Sequence, residues 1–330
     1  MNNRLSNVVM FCLFGIMLNS AQAGDYQNSE KLHAFITEMQ QEHGFAPEQL
    51  NRLFAEVKKQ QSILDAIARP AEKVREWKDY RPTFVNTRRI AGGQLFWQKN
   101  QETLARAERE YGVPAQIIVA IIGVETSYGG NTGSFRVMDA LSTLAFDFPP
   151  REVFFRKELK EFLLMAREQQ LDPLTLKGSY AGAMGLPQFM PSSFRAYAVD
   201  FDGDGKIDIW NNPADAIGSV ANYFKVHGWT KNAVVALKAT INGRQADSGL
   251  SASLEPDRTA AKLQALGWTA EQPLDDNLPI TAFRLQGEQG VQYWLGLPNF
   301  YVITRYNRSL MYALAVYQLS EVLQSTRSSP

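Results

Sequence analysis

The chain has 330 residues, 45% hydrophobic and 21% charged, an ordinary globular composition with length for roughly two domains, one carrying an insertion. Its 34 basic and 34 acidic side chains cancel, which argues against a general nucleic-acid or anionic-membrane surface. Aromatics at 11% are plentiful; most belong in a core, and some can wall a sugar site. Residues 1–23 read as a secretory signal, with Arg4, an apolar run from Val8 to Leu18, and Ala21-Gln22-Ala23 before Gly24. The run is too short for a comfortable transmembrane helix. The only cysteine, Cys12, lies inside it behind Met10-Phe11, where a lipid-anchoring signal places a small residue. No lipid anchor is expected, and the mature chain has no cysteine to form a disulfide.

From Ser29 to about Leu64 the pattern is helical: Leu32, Phe35, Ile36 and Met39 make one stripe, and Leu50, Leu53, Phe54 and Val57 another. Gly44 and Pro47 punctuate them. Gly92-Gly93 reads as the end of this lead-in, and Leu95-Phe96-Trp97 open a helix that runs to about Tyr111. Then comes Pro114 to Gly133, PAQIIVAIIGVETSYGGNTG. Pro114 suits a first helical position. Ile117, Ile118, Ile121 and Ile122 form a face for burial, and Glu125 extends that face. Gly129-Gly130 and Gly133 stop the helix. Burial among isoleucines disfavours the charged carboxylate, and the negative end of the helix pushes the same way. A carboxyl kept protonated near neutral pH is what a glycosidic general acid needs. A glutamate that reaches solvent or pairs with an arginine is the competing reading, which this feature alone leaves open.

After Phe148-Pro149-Pro150-Arg151 a helix restarts through Val153, Phe154, Leu159, Phe162, Leu163 and Ala166. The stretch Gly178 to Met190, GSYAGAMGLPQFM, then packs three glycines and a proline into a short span. Ser179, Tyr180, Gln188 and Phe189 offer hydroxyls, an amide and rings suited to an acetamido sugar; a plain Gly-rich connector is the alternative. Asp200 to Asn211, DFDGDGKIDIWN, matches an EF-hand calcium loop. Asp200, Asp202 and Asp204 stand at its first carboxylate positions, Gly205 at the turn, Lys206 where a backbone carbonyl coordinates, and Asp208 where water often mediates. The departure is Asn211 at the last position, where a bidentate Glu is usual. An all-oxygen shell suits calcium and does not invite zinc.

Ala214 to Val226 reads as a helix with Ile217, Val220, Ala221 and Phe224 inward and Tyr223 beside them. From about Val234 to Leu295 the texture becomes polar and alternating. Ile280 to Leu285 looks like a strand and Ala260 to Leu266 a short helix, so this is a small α+β insertion. Phe300 to Asn307 reads as a strand or extended entry, and helical periodicity returns from Leu310 to Val322. No internal repeat or low-complexity linker is present.

In order, VETSYGGNTG, GSYAGAMGLPQFMPSSFRAYAVDFDGDGKIDIW and NFYVITRYN closely resemble the lytic murein transglycosylases of the membrane-bound lytic murein transglycosylase B type. The likeness covers nearly all the mature chain. It implies a mainly α fold: a goose-type lysozyme-like helical core with an EF-hand-like calcium loop, a flanking helical domain and a small α+β insertion. The corresponding segments are a signal at 1–23, a helical lead-in at 24–93, a catalytic core at 94–232 with the loop at 200–211, a sheet-containing domain at 233–295, and a return to the core at 296–330. The resemblance further implies cleavage of the β-1,4 bond between N-acetylmuramic acid and N-acetylglucosamine in peptidoglycan, leaving a 1,6-anhydro end.

Carried over residue by residue, the resemblance makes Glu125 the catalytic acid. Ser179, Gln188, Phe189, Tyr223, Tyr306, Asn307 and Tyr312 become groove residues. Asp200, Asp202, Asp204, the Lys206 carbonyl and Asn211 become calcium ligands, with Asn211 placing the affinity in question. Glu125 would protonate the glycosidic oxygen and then take the proton of the muramic 6-hydroxyl as it attacks C1, an intramolecular nucleophile outcompeting water. Asp139, Asp147 and Asp172 stay open as a second carboxylate. Two further readings are a hydrolytic muramidase and a non-catalytic peptidoglycan-binding protein; a calcium-responsive module is disfavoured by the single loop. The implied partners are glycan strands and other cell-wall enzymes, with no nucleic acid. The implied setting is the periplasm, as a soluble monomer.

Overall fold

A computed structural model describes residues 24–68, 75–243 and 246–328. The secretory-signal reading of 1–23, Cys12 included, lies outside these residues. The chain divides into two compact units, one ending at Lys58 and one beginning at Lys59. In the first, α1 (Glu30–His43) buries Leu32, Phe35, Ile36 and Met39, the stripe the sequence predicts. It ends at Gly44, whose φ of 66° is the left-handed cap that glycine adopts without a Cβ penalty. Pro47 opens α2 (Pro47–Ala55), and Phe54 meets Phe35 edge-on at 5.9 Å.

The second unit begins with α3 (Gln61–Ala68), α4 (Trp77–Phe84), α5 (Thr87–Lys99), α6 (Gln101–Tyr111) and α7 (Ala115–Thr126). Every residue of α7 from Ile117 to Val124 is buried. The isoleucine face the sequence predicts is therefore part of a helix enclosed on all sides, as expected for a helix apolar all round. Pro114 is its N-cap and not its first residue. Gly92-Gly93 does not end a helix; the pair lies inside α5. A Cβ on Gly93 would sit 2.4 Å from the Tyr128 hydroxyl, and one on Gly123 of α7 would sit 2.5 Å from the same atom. The glycines let the Tyr128 ring slot between α5 and α7. The helix predicted to run to Tyr111 breaks at Asn100, whose amide nitrogen and side chain both donate to the Phe96 carbonyl.

Short β1 (Phe135–Arg136) leads into α8 (Val137–Asp147) and α9 (Glu152–Glu168), and pairs antiparallel with β2 (Lys177–Gly178). Helices α10 (Pro191–Tyr197) and α11 (Pro213–Val226) follow, each with proline in its first turn. The insertion is a five-stranded antiparallel sheet of β3 (Ala236–Ile241), β4 (Arg258–Thr259), β5 (Trp268–Ala270), β6 (Pro279–Gly287) and β7 (Gly290–Gly296), ordered β4-β6-β7-β3-β5. Helix α12 (Ala260–Ala265) sits between β4 and β5 in the chain. Alternation along the strands splits their side chains between two cores. Phe283 and Trp294 join the helical core, while Ile280, Ala282 and Leu295 form a small core with Leu263 and Trp268.

The stretch predicted as extended, Phe300 to Asn307, is instead helical: α13 (Pro298–Tyr306), followed by α14 (Leu310–Ser328). Its aromatic and β-branched residues carry strand propensity. Pro298 sets a helical start, however, and the core buries Phe300, Val302, Ile303 and Thr304 from one turn after another. The result is a mainly α molecule whose central helix α7 is packed by α5, α6, α11 and α14. Among the described residues no helix is long and apolar enough to cross a membrane.

Candidate active site

Helix α7 stops where the chain enters left-handed backbone at Ser127 (φ 51°) and Tyr128 (φ 63°). Such φ values are uncommon outside glycine and carry local strain. They are held by Tyr128, whose hydroxyl donates to the Arg89 carbonyl at 2.9 Å. The Arg89 guanidinium turns the other way and donates to the carbonyls of Gly123 and Val124. A cation thus meets the negative end of α7. Thr126 reaches the Leu186 carbonyl at 3.1 Å, tying the helix end to the Gly-rich stretch.

Glu125 projects from this last turn, with only part of its surface open to solvent. Its carboxyl is pushed up to about 7 by burial, while a hydrogen bond from Tyr312 to Oε1 pulls the other way. Burial is the cause the sequence predicts; the helix terminus, also invoked there, is answered by Arg89. Tyr312 is 3% exposed. The hydroxyls of Tyr80, Tyr306 and Tyr312 are all raised by burial and by the charge of Glu125. Phenols from three chain segments, on α4, α13 and α14, therefore interact with one carboxyl.

Behind it lies an aromatic cluster. Tyr306 donates to the Pro187 carbonyl at 2.6 Å, and Tyr223 donates to the Arg305 carbonyl at 2.6 Å. Their rings lie 4.8 Å apart, and Phe189 packs within 6 Å of both. Phe189 and Tyr223 are 2% and 7% exposed, so their rings face protein more than solvent. His227 stacks on Tyr223 at 4.0 Å.

The Gly-rich stretch is a folded corner and not a slack connector. Ser179 Oγ accepts from the Ala183 amide at 3.0 Å. Gln188, at φ 51°, donates through Nε2 to the carbonyls of Gly185 and Thr132. A Cβ on Gly133 would lie 2.1 Å from the carbonyl carbon of Gly178, so the two backbones touch there. Asn307 caps the exposed end of α13. The structure brings Tyr306 and Tyr312 to Glu125 and gathers Phe189 and Tyr223 behind them, while Ser179 and Gln188 brace their own loop. Sequence reasoning missed Tyr80 and Arg89. No local pattern marks either residue, because both reach the site only through the packing of α4 and α5.

The three candidate second carboxylates are engaged elsewhere. Asp139 takes two hydrogen bonds of 2.8 Å from Arg136, Asp147 pairs with Lys59 at 3.0 Å, and Asp172 accepts from the Leu174 amide at 2.9 Å.

In the acidic loop, Asp200, Asp202 and Asp204 each bring a carboxylate oxygen within 4.8 Å of the others. Gly203 and Gly205 make the turns with φ of 80° and 88°. The fully buried Asp215 clamps the loop, accepting from the Phe201 amide at 2.8 Å and the Asp208 amide at 2.7 Å. Asn211 Nδ2 donates to Asp208 Oδ2 at 3.1 Å, so these two side chains face each other. Three convergent carboxylates with only oxygen donors nearby fit a hard divalent cation such as calcium.

A mainly helical core whose central helix ends in a partly buried glutamate of raised pKa, beside tyrosines, is of the lysozyme-like class. A family model described as the transglycosylase SLT domain matches residues 27–321. The chain is 45% identical over 313 residues to membrane-bound lytic murein transglycosylase B of Escherichia coli strain K12, covering 92% of this chain and 85% of that one. Among solved structures, the Pseudomonas aeruginosa lytic transglycosylase SltB1 superposes with a TM-score of 0.90 at 61% identity, covering 92% of this chain and 100% of that one. The E. coli lytic transglycosylase Slt35 in complex with calcium gives 0.85 at 45% identity, covering 94% and 98%. P. aeruginosa SltB3 in complex with NAG-NAM-pentapeptide gives 0.80 at 30%, covering 89% and 78%. The chain belongs to the lytic transglycosylase SLT family.

Proposed function

We propose that the protein is a lytic transglycosylase that cuts the β-1,4 bond between N-acetylmuramic acid and N-acetylglucosamine in peptidoglycan and leaves 1,6-anhydromuramic ends. The observation that carries this reading is the Glu125 carboxyl, raised to about 7 by burial and hydrogen-bonded by Tyr312. Because the Tyr312 hydroxyl donates to Oε1, the proton of the neutral acid resides on Oε2, free to pass to a glycosidic oxygen. As the bond breaks, positive charge grows at C1 and Glu125 becomes a carboxylate, which the Tyr312 hydroxyl stabilises. The ionised Glu125 then accepts the proton of the muramic 6-hydroxyl as that oxygen closes on C1. One carboxyl acts first as acid and then as base. The carboxylates weighed as a second acid, Asp139, Asp147 and Asp172, are each bonded elsewhere, which favours the sugar's own 6-hydroxyl over a carboxylate-activated water.

Residues 94–232 supply the acid, and the returning segment 296–330 supplies Tyr306 and Tyr312, so both belong to one catalytic core. Ser179, Gln188, Phe189, Tyr223, Tyr306, Asn307 and Tyr312 shape the glycan groove. Calcium would be held by the carboxylates of Asp200, Asp202 and Asp204 with the Lys206 carbonyl and Asn211, and would supply a fixed charge that holds the loop. The substrate is murein bearing its peptides, as in the glycopeptide bound by SltB3. The setting is the periplasm, with the protein a soluble monomer after signal cleavage.

Mass spectrometry of digested peptidoglycan tests the reading. Anhydro ends are the expected product, one water lighter than reducing ends. A product dominated by reducing ends would assign the hydrolytic muramidase reaction to the same glutamate. Absence of any cleavage would leave only a binding role.

A further inference from the structure

Arg89 takes no part in the chemistry above, yet its side chain ends on the peptide unit that carries Glu125. It stands in the first turn of α5, whose N-cap, Asn86, accepts the Arg89 amide at 3.0 Å. The guanidinium lies over the Phe84 ring of α4, 5.3 Å from its centre, and the residue is half-buried. Its hydrogen bonds among the described residues all go to the last turn of α7, to the carbonyls of Gly123 and Val124. Burial lowers its pKa, the Tyr128 phenol raises it and the neighbouring Arg88 lowers it again; a guanidinium starts so high that it keeps its charge throughout.

The two carbonyls are not equivalent. Gly123 already serves the Ser127 amide at 3.0 Å. In a continuing helix the Val124 carbonyl would be met by the Tyr128 amide, four residues on. That amide instead turns back to the Ile122 carbonyl at 3.3 Å, because Ser127 and Tyr128 have entered left-handed backbone. The Val124 carbonyl is left as one of the orphans of a helix end, and Arg89 supplies its donor at 3.3 Å. That carbonyl and the Glu125 amide form one rigid peptide unit. A donor fixed on the oxygen therefore fixes the plane from which Glu125 departs.

The same residue closes the contact from its other end. The Arg89 carbonyl accepts the Tyr128 hydroxyl at 2.9 Å, and the Tyr128 ring packs on Phe96 at 5.6 Å. Phe84, under the guanidinium, lies 5.0 Å from Tyr80, whose phenol responds to the Glu125 charge. Helices α4, α5 and α7 thus meet at one side chain. None of its partners belongs to the proposed groove.

We propose that Arg89 is a positioning residue for the reaction: by holding the Val124–Glu125 peptide and the Tyr128 turn together, it keeps the Glu125 carboxyl in its buried seat beside Tyr312 through both proton transfers. The proposal rests on the reading of Glu125 as the acid and adds the group that aims it. Misplacing a reacting group by about an ångström costs up to roughly a hundredfold in rate. The role also has a sign of its own. Burial is what raises the Glu125 carboxyl, so a carboxyl released from its seat gains water and titrates lower. Loss of a nearby cation alone would move it the other way, and a smaller folded fraction would not move it.

Initial rates on soluble glycan strands, from about pH 4 to 9, test this in full-length protein carrying Arg89→Met, which keeps an apolar stem and removes every donor. Turnover is expected to fall roughly ten- to a hundredfold, with KM within about twofold of wild type, and the alkaline limb of kcat/KM to move to lower pH. Arg89→Lys, a cation with a point-like donor, should recover part of both changes. Tyr128→Phe cuts only the bond to the Arg89 carbonyl and should move the limb the same way by less; it decides the matter if Arg89→Met fails to fold in denaturant melts. A limb that stays in place or moves to higher pH overturns the proposal, as does a loss confined to KM. Glu125→Gln assayed beside these variants separates the two readings. If it digests glycan like wild type, the acid itself is misassigned; if it is inactive while Arg89→Met matches wild type, only the positioning role falls.

Discussion

At the scale of single residues, Glu125 couples chemistry to stability through its proton. Its carboxyl lies near 7 in the folded protein against an ordinary 4.5. Below 4.5 both folded and unfolded chains hold the proton, and the group is neutral to stability. Between 4.5 and 7 the unfolded chain releases it first, so stability falls as pH rises, and the loss levels off above 7 at roughly 3 kcal/mol. Glu125→Gln cannot ionise and keeps an oxygen for Tyr312 to donate to. Its melting temperature should match wild type at pH 4 and exceed it by a growing margin up to pH 8. The same variant should lose roughly a hundred- to ten-thousand-fold in turnover, measured by release of soluble fragments from sacculi. Tyr312→Phe removes the bond that pulls the Glu125 carboxyl down, so the alkaline limb of kcat/KM should move to higher pH while the maximum falls. An alkaline limb that stays in place would separate Tyr312 from the titrating group. The raised pKa of Glu125 was partly legible in the sequence, because the isoleucine spacing argued for burial while leaving a solvent-facing glutamate open. Arg89 and Tyr80 were not legible, because each reaches the site from a different helix and carries no local signature.

At the scale of elements, two departures from the sequence reading share one cause: a contact distant in the chain decided a locally ambiguous stretch. Gly92-Gly93 has the composition of a helix end, yet α5 continues through it because the Tyr128 ring needs the space. Phe300 to Asn307 has the composition of a strand, yet the core draws it into α13. Where the signal was periodic and long, as in α1, α11 and α14, the expected helices are present. The α5–Tyr128–α7 contact is itself testable. The Tyr128 hydroxyl is fixed on the Arg89 carbonyl, and a Cβ on Gly123 would stand 2.5 Å from it. Neither side can yield without moving the turn that carries Glu125. Gly123→Ala should therefore destabilise by about 1–3 kcal/mol, as overpacking does, and should reduce activity by more than the fraction unfolded explains. Denaturant melts paired with initial rates at low temperature distinguish the two effects.

At the scale of the whole molecule, the acidic loop is wired into the helical core, which would make a cation bound there a matter of global stability. Phe201, inside the loop, is 7% exposed and belongs to the core around α7. The Arg106 guanidinium of α6 lies 3.7 Å from the centre of its ring and donates to its carbonyl. Asp215 of α11 holds the loop's two halves together through the Phe201 and Asp208 amides. A cation that binds only the folded loop stabilises by mass action, about 2.7 kcal/mol at a hundred times its Kd. For a chain of this size, that raises the melting temperature by several degrees. Chelated protein titrated with calcium should show this rise, and a flat curve would remove the metal from the account. Asn211→Asp restores a charge at the last loop position and should tighten binding. Asp215→Asn touches no proposed ligand but replaces one acceptor with an N–H facing a backbone N–H, costing about 1–3 kcal/mol for the unmet groups. It should lower stability and also weaken calcium, because the loop must then be ordered by the metal alone. If Asp215→Asn lowers the melting temperature equally with and without calcium, the clamp serves the core and not the loop.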